Sequence, residues 1–298
     1  MTVPRRALVT GATGFVAGHL ARRLVADGWD VLGLVRDPRA ESPFPTEAWP
    51  AEGQEAVQLF TQVRPDVCFH LATRFQPRHQ PEDVTALVDG NVTLAALVGE
   101  GAAAMPGCRV VYTSSYWQHY EGATYAPTSL YAAMKQAGLD VLRYYADCAD
   151  VPVTALTLFS SYGPGEAKSR ITSLLARAAL EQEPVDLSPG EQLLDLVYVD
   201  DIVDALLVAA AGDGEDRRPG GGLSTATVRS GDPVSLRQLA DEIGAVVGRP
   251  VPATFGALPY RPREMFSEWA SAPDLEGWAP TTSRADGLAR LTEAIAHN

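Results

Sequence analysis

Lysine is almost missing from this chain of 298 residues: Lys135 and Lys168 are the only two, and every other basic side chain that carries a permanent charge is arginine. A lysine kept in such a chain marks a role that a guanidinium does not fill. Cysteine is also scarce. Cys68, Cys108 and Cys148 are odd in number and far apart, with no CxxC and no Cys/His ligand spacing. That pattern excludes a disulfide framework and a zinc site as organising principles, and it fits reduced thiols in a cytosolic protein. No bound metal is expected. Positive charge is in deficit as well: a net charge of −13 argues against nucleic acid or an anionic membrane as the main partner. No stretch approaches the roughly eighteen apolar residues of a spanning helix. The apolar run behind Pro4, Arg5 and Arg6 breaks at Gly11, too early for the core of a signal peptide. What remains is a soluble, cytoplasmic chain, 46% hydrophobic, with room for one large or two modest domains.

The most informative stretch runs from Val110 to Lys135, VVYTSSYWQHYEGATYAPTSLYAAMK. An apolar strand-like run delivers Ser114 and Ser115, an aromatic and polar loop follows, and a helix then carries Tyr131 and Lys135. Residues four apart on a helix share a face. An ammonium beside a phenol favours the ionised phenol and draws its pKa down from about 10. With a serine hydroxyl from the strand end, the group suits proton transfer to or from a carbonyl or alcohol oxygen. The alternative is a core tyrosine and a solvated lysine.

Upstream, Ala7 to Thr10 ends in Gly11-Ala12-Thr13-Gly14-Phe15-Val16-Ala17-Gly18 and an amphipathic helix continues to Ala26. Strand, glycine turn and helix are the context in which backbone N–H groups approach a pyrophosphate. The alternative is a tight turn without a ligand. The second strand, Asp30 to Val35, ends in valine, with Arg36 next. An acidic residue at this point binds a ribose 2′-hydroxyl, whereas arginine pairs with a 2′-phosphate, so NADP is expected rather than NAD. The other reading of Arg36 is an ordinary exposed charge. Residues 39–55 read as loop, with no third strand evident. Helices are predicted over 56–63, 81–104, 129–148, 171–179, 202–211, 236–247 and 284–295, and strands over 66–73, 109–113 and 153–159. Asp200 and Asp201 are expected to cap the helix beginning at Ile202. His70, inside an apolar run, reads as a packed histidine. The alternation predicts a doubly wound, Rossmann-type parallel sheet, with a smaller α/β part closing over its C-terminal edge.

TGATGFVAGHL, FHLAT, YTSS, YxxxK, YGPGE and LVYVDDIVDAL stand in this order. With them the chain resembles an extended short-chain dehydrogenase/reductase, and LPYRPREM and EGWAPTTSRADGL resemble the end of its nucleotide-sugar branch. WQHY ahead of LYAAMKQA is similar to the CDP-abequose synthase type of 4-ketoreductase. The resemblance implies an NADP-binding domain over 1–165 with a return segment 193–225, a substrate domain over 166–192 and 226–298, and a homodimer through helices 81–104 and 129–148. It makes Tyr131 the general acid/base, Lys135 the residue on the nicotinamide ribose, and Ser115 the hydroxyl on the reacting oxygen. It lays Gly11, Thr13, Gly14, Phe15 and Val16 along the pyrophosphate and sets Leu71, Ala72, Thr73 and Phe159 beside the cofactor. Asn91 supports the site, while Ser160 and Arg261 face the substrate, Arg261 on its diphosphate. Trp117, Gln118, His119 and Tyr120 are expected to line the sugar pocket, or else to pack within their loop.

Departures from the family pattern narrow the chemistry. Ala17 takes the third glycine position, which serves packing. Leu194-Asp195-Leu196 replaces Arg-Asp-Phe, and Thr157 and Ser160 replace Arg and Asn, so the nucleotide contacts change. Ser115 is followed by Tyr116-Trp117-Gln118, with no carboxylate before Glu121, which removes the acidic pair a dehydratase of this family uses. The missing acidic residue after the second strand speaks against an epimerase that retains NAD. The expectation is NADPH-dependent reduction of the C4 ketone of a nucleotide-linked 4-keto-deoxyhexose. A 4-epimerase and a non-catalytic NADP-binding protein are the alternatives.

Overall fold

Four nearly continuous apolar runs, at 7–9, 67–69, 110–112 and 153–155, are too apolar for strands with one wet face. Covered on both sides, they become the centre of a parallel sheet. The computed structural model describes residues 4–38, 42–212, 222–267, 269 and 272–297. In chain order the first half consists of β1 (Arg6–Thr10), α1 (Phe15–Ala26), β2 (Asp30–Val35), β3 (Thr46–Ala48), α2 (Gly53–Val63), β4 (Val67–His70), α3 (Val84–Val88), α4 (Leu94–Ala103), β5 (Arg109–Ser115) and α5 (Leu130–Cys148). The second half runs through β6 (Pro152–Leu158), β7 (Ser160–Tyr162), α6 (Ile171–Glu181), β8 (Val185–Leu187), β9 (Leu193–Leu194), β10 (Leu196–Tyr198) and α7 (Val199–Ala211). It ends with β11 (Gly222–Val228), β12 (Val234–Ser235), α8 (Leu236–Val247), β13 (Ala253–Phe255) and α9 (Arg284–Ala296).

The main sheet has seven strands in the order β11-β6-β5-β4-β1-β2-β3, all paired in parallel. Buried residues of α1 and α7 fill one face with Val9, Phe69 and Val111. Residues of α2, α4 and α5 fill the other with Leu8, Cys68 and Val110. A third apolar cluster joins α6, α8 and α9 with the short pairs β7–β10, β8–β13 and β9–β12. Strand order reverses between β1 and β4, and the crevice at the C-terminal ends of those strands is where open α/β sheets bind ligands. The glycine turn after β1, residues 71–73 after β4 and the serines at the end of β5 all meet there.

Several expectations are corrected. The 39–55 region does hold a third strand: Thr46–Ala48 pairs with Gly33–Val35 at the sheet edge, and only three residues of it are needed, too few for a periodic signal. The helix expected at 56–63 starts at Gly53, and the strand expected over 66–73 ends at His70. The helix expected at 81–104 is interrupted by a π turn, Asp89–Thr93, which bulges around Asn91. A Cβ at Gly138 on α5 would overlap the Asn91 carbonyl oxygen, so the bulge and α5 approach more closely than a side chain permits.

Asp200 and Asp201 lie inside α7 rather than capping it. Asp201, buried, accepts the Thr281 N–H at 3.1 Å, the Thr281 hydroxyl at 2.8 Å and the Thr282 N–H at 3.1 Å, tying the C-terminal segment down. The sequence over 212–222, rich in Gly, Pro and charge, reads as a loop and lies, apart from its two ends, outside the described residues. Immediately after it, β11 rejoins the main sheet beside β6, and the boundary expected at 225 falls within that strand. No helix among the described residues is long and apolar enough to cross a membrane.

Candidate active site

The glycine turn is built to admit an anion. Gly11 has φ +66°, and a Cβ there would meet the Ala72 Cα at 2.8 Å, so the turn closes on the segment after β4 only because the side chain is missing. Gly14 begins α1 without a side-chain cap, and no acidic residue stands in the first turn. The open N–H groups and the helix dipole therefore face the crevice unopposed. Thr13 is exposed there, and Phe15 and Val16 are half-buried beside it. Ala72 donates its N–H to the Thr10 hydroxyl at 2.9 Å, which fixes Leu71, Ala72 and Thr73 against the turn. At the end of β2, Val35 is buried and Arg36 and Asp37 are exposed, so a guanidinium and a carboxylate stand side by side beyond the strand. These residues fit a dinucleotide: Gly11, Gly14 and the α1 N-terminus would hold its pyrophosphate.

Ser114 and Ser115 look equivalent in sequence and are not. Ser114 donates its hydroxyl to Gln118 Oε1. Ser115 accepts the Trp117 N–H at 3.3 Å, which leaves its own proton free to donate into the crevice. Gln118, expected in the sugar pocket, is 1% exposed. Its oxygen also accepts the Ser115 N–H at 3.0 Å and its nitrogen donates to Gln136 at 2.6 Å. It braces the serine pair, with both acceptor positions of its oxygen and one of its two N–H donors already taken.

Tyr131 is buried one turn before Lys135. Burial raises its pKa above that of an ordinary phenol; the Thr73 and Ser115 hydroxyls and the charge of Arg170 act in the opposite sense without cancelling it. The expected lowering by the neighbouring ammonium is not what this structure contains. Lys135 Nζ lies 4.1 Å from the centre of the Tyr112 ring, and burial brings its own pKa from 10.5 to about 7. His70, read as packed, is fully buried beneath this layer: Nδ1 lies 2.9 Å from the Thr10 hydroxyl, and burial followed by the nearby Lys135 charge takes its pKa to about 3.

Over Tyr131 stands an aromatic wall. Phe75, 47% exposed, meets the Tyr131 ring edge-on at 5.0 Å, and Trp117 meets it at 6.3 Å. Arg261 lies 4.7 Å over the Trp117 ring and is held by Glu264 through bonds of 3.0 and 2.6 Å. His119 stacks on Trp269 at 3.5 Å; its Nδ1 lies 2.8 Å from the Thr124 carbonyl, and burial lowers its pKa despite that contact. Arg263 donates to the Pro127 carbonyl at 2.7 Å, fastening the same C-terminal segment to the loop after Ser115. Phe159, expected at the cofactor, stacks on Tyr116 at 4.8 Å, and the Ser160 and Tyr116 hydroxyls are 3.1 Å apart. Asn91, from the π turn, accepts the Thr73 hydroxyl at 2.6 Å. Among the described residues no His, Cys, Asp and Glu side chains cluster as a metal site.

Sequence reasoning missed Phe75, Trp269 and Arg170. Phe75 lies in an irregular loop and Trp269 comes from a distant segment, so no spacing signalled either. Arg170 is tied to Ser161 and lies 5.9 Å from the Phe15 ring, between the glycine turn and Tyr131.

The model of the NAD dependent epimerase/dehydratase family matches residues 7–219. A UDP-glucose 4-epimerase of Mycolicibacterium smegmatis is 31% identical over 97% of both chains. A CDP-abequose synthase of Yersinia pseudotuberculosis is 26% identical, covering 70% of this chain and 74% of its own. Among solved structures, MoeE5 in complex with UDP-glucose and NAD superposes with a TM-score of 0.83 at 27% identity, covering 98% of this chain and 99% of that one.

Proposed function

The chain belongs to the NAD dependent epimerase/dehydratase family, whose relatives act on nucleotide sugars, and we propose that it is an NADPH-dependent reductase of the C4 ketone of a nucleotide-linked 4-keto-6-deoxyhexose. The observation that carries this reading is a buried phenol raised above its ordinary pKa near a serine hydroxyl at the end of β5, with no carboxylate in the chain between Ser115 and Glu121. Tyr131 and Ser115 can give and share protons at one oxygen, which is what ketone reduction requires. Elimination of water needs a further acid and base that this loop lacks.

A nicotinamide cofactor supplies the hydride when bound. Ser115 donates to the ketone oxygen and orients it. Tyr131 gives its phenolic proton to that oxygen as negative charge develops, which balances the reduction to an alcohol. Lys135 holds the nicotinamide ribose with its ammonium and, when charged, steadies the phenolate left behind. Arg36, at the end of β2, supports NADPH over NADH because a 2′-phosphate needs a cation there. Trp117, Phe75 and Tyr116 offer an apolar wall to a sugar that has lost hydroxyls, and Arg261 offers a cation to its diphosphate. The likeness to CDP-abequose synthases favours the same reading.

A second reading is a nucleotide-sugar 4-epimerase, favoured by the 31% identity to a UDP-glucose 4-epimerase and by NAD in the MoeE5 complex. A panel of dTDP-, CDP-, UDP- and GDP-4-keto-6-deoxy sugars incubated with NADPH separates the two, with loss of absorbance at 340 nm and the C4 configuration as readouts. The reductase reading expects cofactor oxidation with at least one member. Interconversion of UDP-glucose and UDP-galactose by protein carrying its own NAD would establish the epimerase instead.

A further inference from the structure

Ser115 and Tyr131 stand on different elements, β5 and α5. To meet at one oxygen the two must be held to within about 0.5 Å. One tie between the elements is the Tyr112 hydroxyl of β5, which donates to the Lys135 carbonyl at 2.9 Å. A second is a row of side-chain amides. Gln118 closes the 3₁₀ turn that follows Ser115, and its oxygen accepts the Ser114 hydroxyl and, at 3.0 Å, the Ser115 N–H. Its nitrogen donates to Gln136 Oε1 at 2.6 Å, and the nitrogen of Gln136 donates to Asp140 Oδ1 at 2.9 Å.

An amide side chain has an acceptor at one end and a donor at the other, so its partners decide which way it points. Here both ends of the row are one-way. The Ser115 N–H can only donate, and the Asp140 carboxylate only accepts. Gln136 therefore turns its NH2 to Asp140 and its oxygen to Gln118, which in turn directs the oxygen of Gln118 at the serines. Gln118 is 1% exposed, so water offers no substitute partner to a flipped amide. With its N–H on Gln118 and its oxygen receiving the Trp117 N–H at 3.3 Å, Ser115 is held at two points.

We propose that Asp140, Gln136 and Gln118 form a one-way amide relay that ties Ser115 to the helix of Tyr131 and so positions its hydroxyl for the shared oxygen. The inference rests on the role given to Ser115 above. All three are positioning residues; each acts through the next, and no proton changes hands. What the relay transmits is hydrogen-bond polarity. A side chain of similar length and opposite polarity at 136 must then disturb Ser115.

The test reverses that polarity in the full-length protein at Gln136, which is half-buried on α5. Gln136→Glu keeps an acceptor for Gln118, whereas Gln136→Lys offers only donors and keeps an i,i+4 partner for Asp140. Amide hydrogen exchange at Ser115, followed by NMR without cofactor or substrate, reads the bond to Gln118. The relay predicts exchange about five- to tenfold faster in Gln136→Lys, the worth of one hydrogen bond, and the parent's rate in Gln136→Glu. Gln118→Glu added to Gln136→Lys sets an acceptor between the lysine and the serines, and is expected to restore slow exchange. Equal rates in the lysine and glutamate variants overturn the relay, as does a double variant no slower than Gln136→Lys. An equal acceleration at Val111, inside β5, means general loosening and overturns it too. Should the double variant fail to fold, the two single variants decide.

With a ketosugar that turns over, Gln136→Lys is expected to lower kcat by about tenfold at nearly constant KM. An unchanged kcat beside faster exchange overturns the positioning role. If the parent turns over no ketosugar, the reductase reading fails, while the exchange rates still decide the relay.

Discussion

The two walls of the crevice are made differently. On the sheet side, the glycine turn, residues 71–73 and the serines of β5 follow directly from parallel strands whose side chains are almost wholly buried. On the other side, Phe75, Trp117, Arg261 and Trp269 come from segments up to about two hundred residues apart and meet through ring and guanidinium contacts. The difference separates chemistry from selection. The groups proposed to move protons are fixed by backbone that cannot shift without disturbing the core, whereas those proposed to face the sugar sit on loops, tied by single contacts such as Arg263 to Pro127.

Substitutions on the two sides therefore ought to fail in different ways. Tyr131→Phe, on the chemical side, is expected to lower kcat by about 10²–10⁴-fold with little change in melting temperature, measured by NADPH oxidation and calorimetry. Gly11→Val strikes the same side through the backbone. It places a branched residue at φ +66°, against Ala72, and is expected to cost about 1–3 kcal/mol of stability and to weaken cofactor binding. Thermal melts with and without NADPH check both effects.

Trp117→Ala, on the selecting side, removes the ring under Arg261. It is expected to raise KM by about tenfold, equivalent to about 1.4 kcal/mol, with a smaller change in kcat. An equal fall in kcat would place Trp117 with the chemistry and erase the distinction. The smallest effect belongs to the layer beneath. His70 has a pKa of about 3 in the fold against 6.5 ordinarily, so the unfolded chain takes up its proton first as pH falls. Stability should decline below about pH 6.5, by about 1 kcal/mol between pH 7 and 5.5, and His70→Asn should flatten that part of a denaturation series.

The same division explains what could be read from the residues alone. The parallel sheet was legible because buried strands announce themselves as apolar runs, and the glycine turn because its spacing reflects a backbone requirement. Tyr131 and Lys135 were legible as neighbours since helical spacing fixes their face, but the direction of the Tyr131 shift was not. That depends on burial by Phe75 and Trp117, which no local pattern encodes. Gln118 was read as a pocket residue from its place in the loop; its hydrogen bonds to Ser114, Ser115 and Gln136 appear only when β5 and α5 are packed. The edge strand Thr46–Ala48 was missed because three residues carry no period. The Asn91 bulge was hidden because the residues of a π turn look like those of any helix.

The role proposed for Tyr131 and Ser115 is net reduction at a ketone. The most direct measurement supplies reduced NADPH deuterated at the transferable position, together with the ketosugar that turns over, and follows cofactor oxidation beside the NMR spectrum of the sugar. One equivalent of cofactor oxidised per product, with deuterium at C4, is the predicted result. A sugar interconverted at C4 with no consumption of reduced cofactor and no deuterium in the product would contradict it.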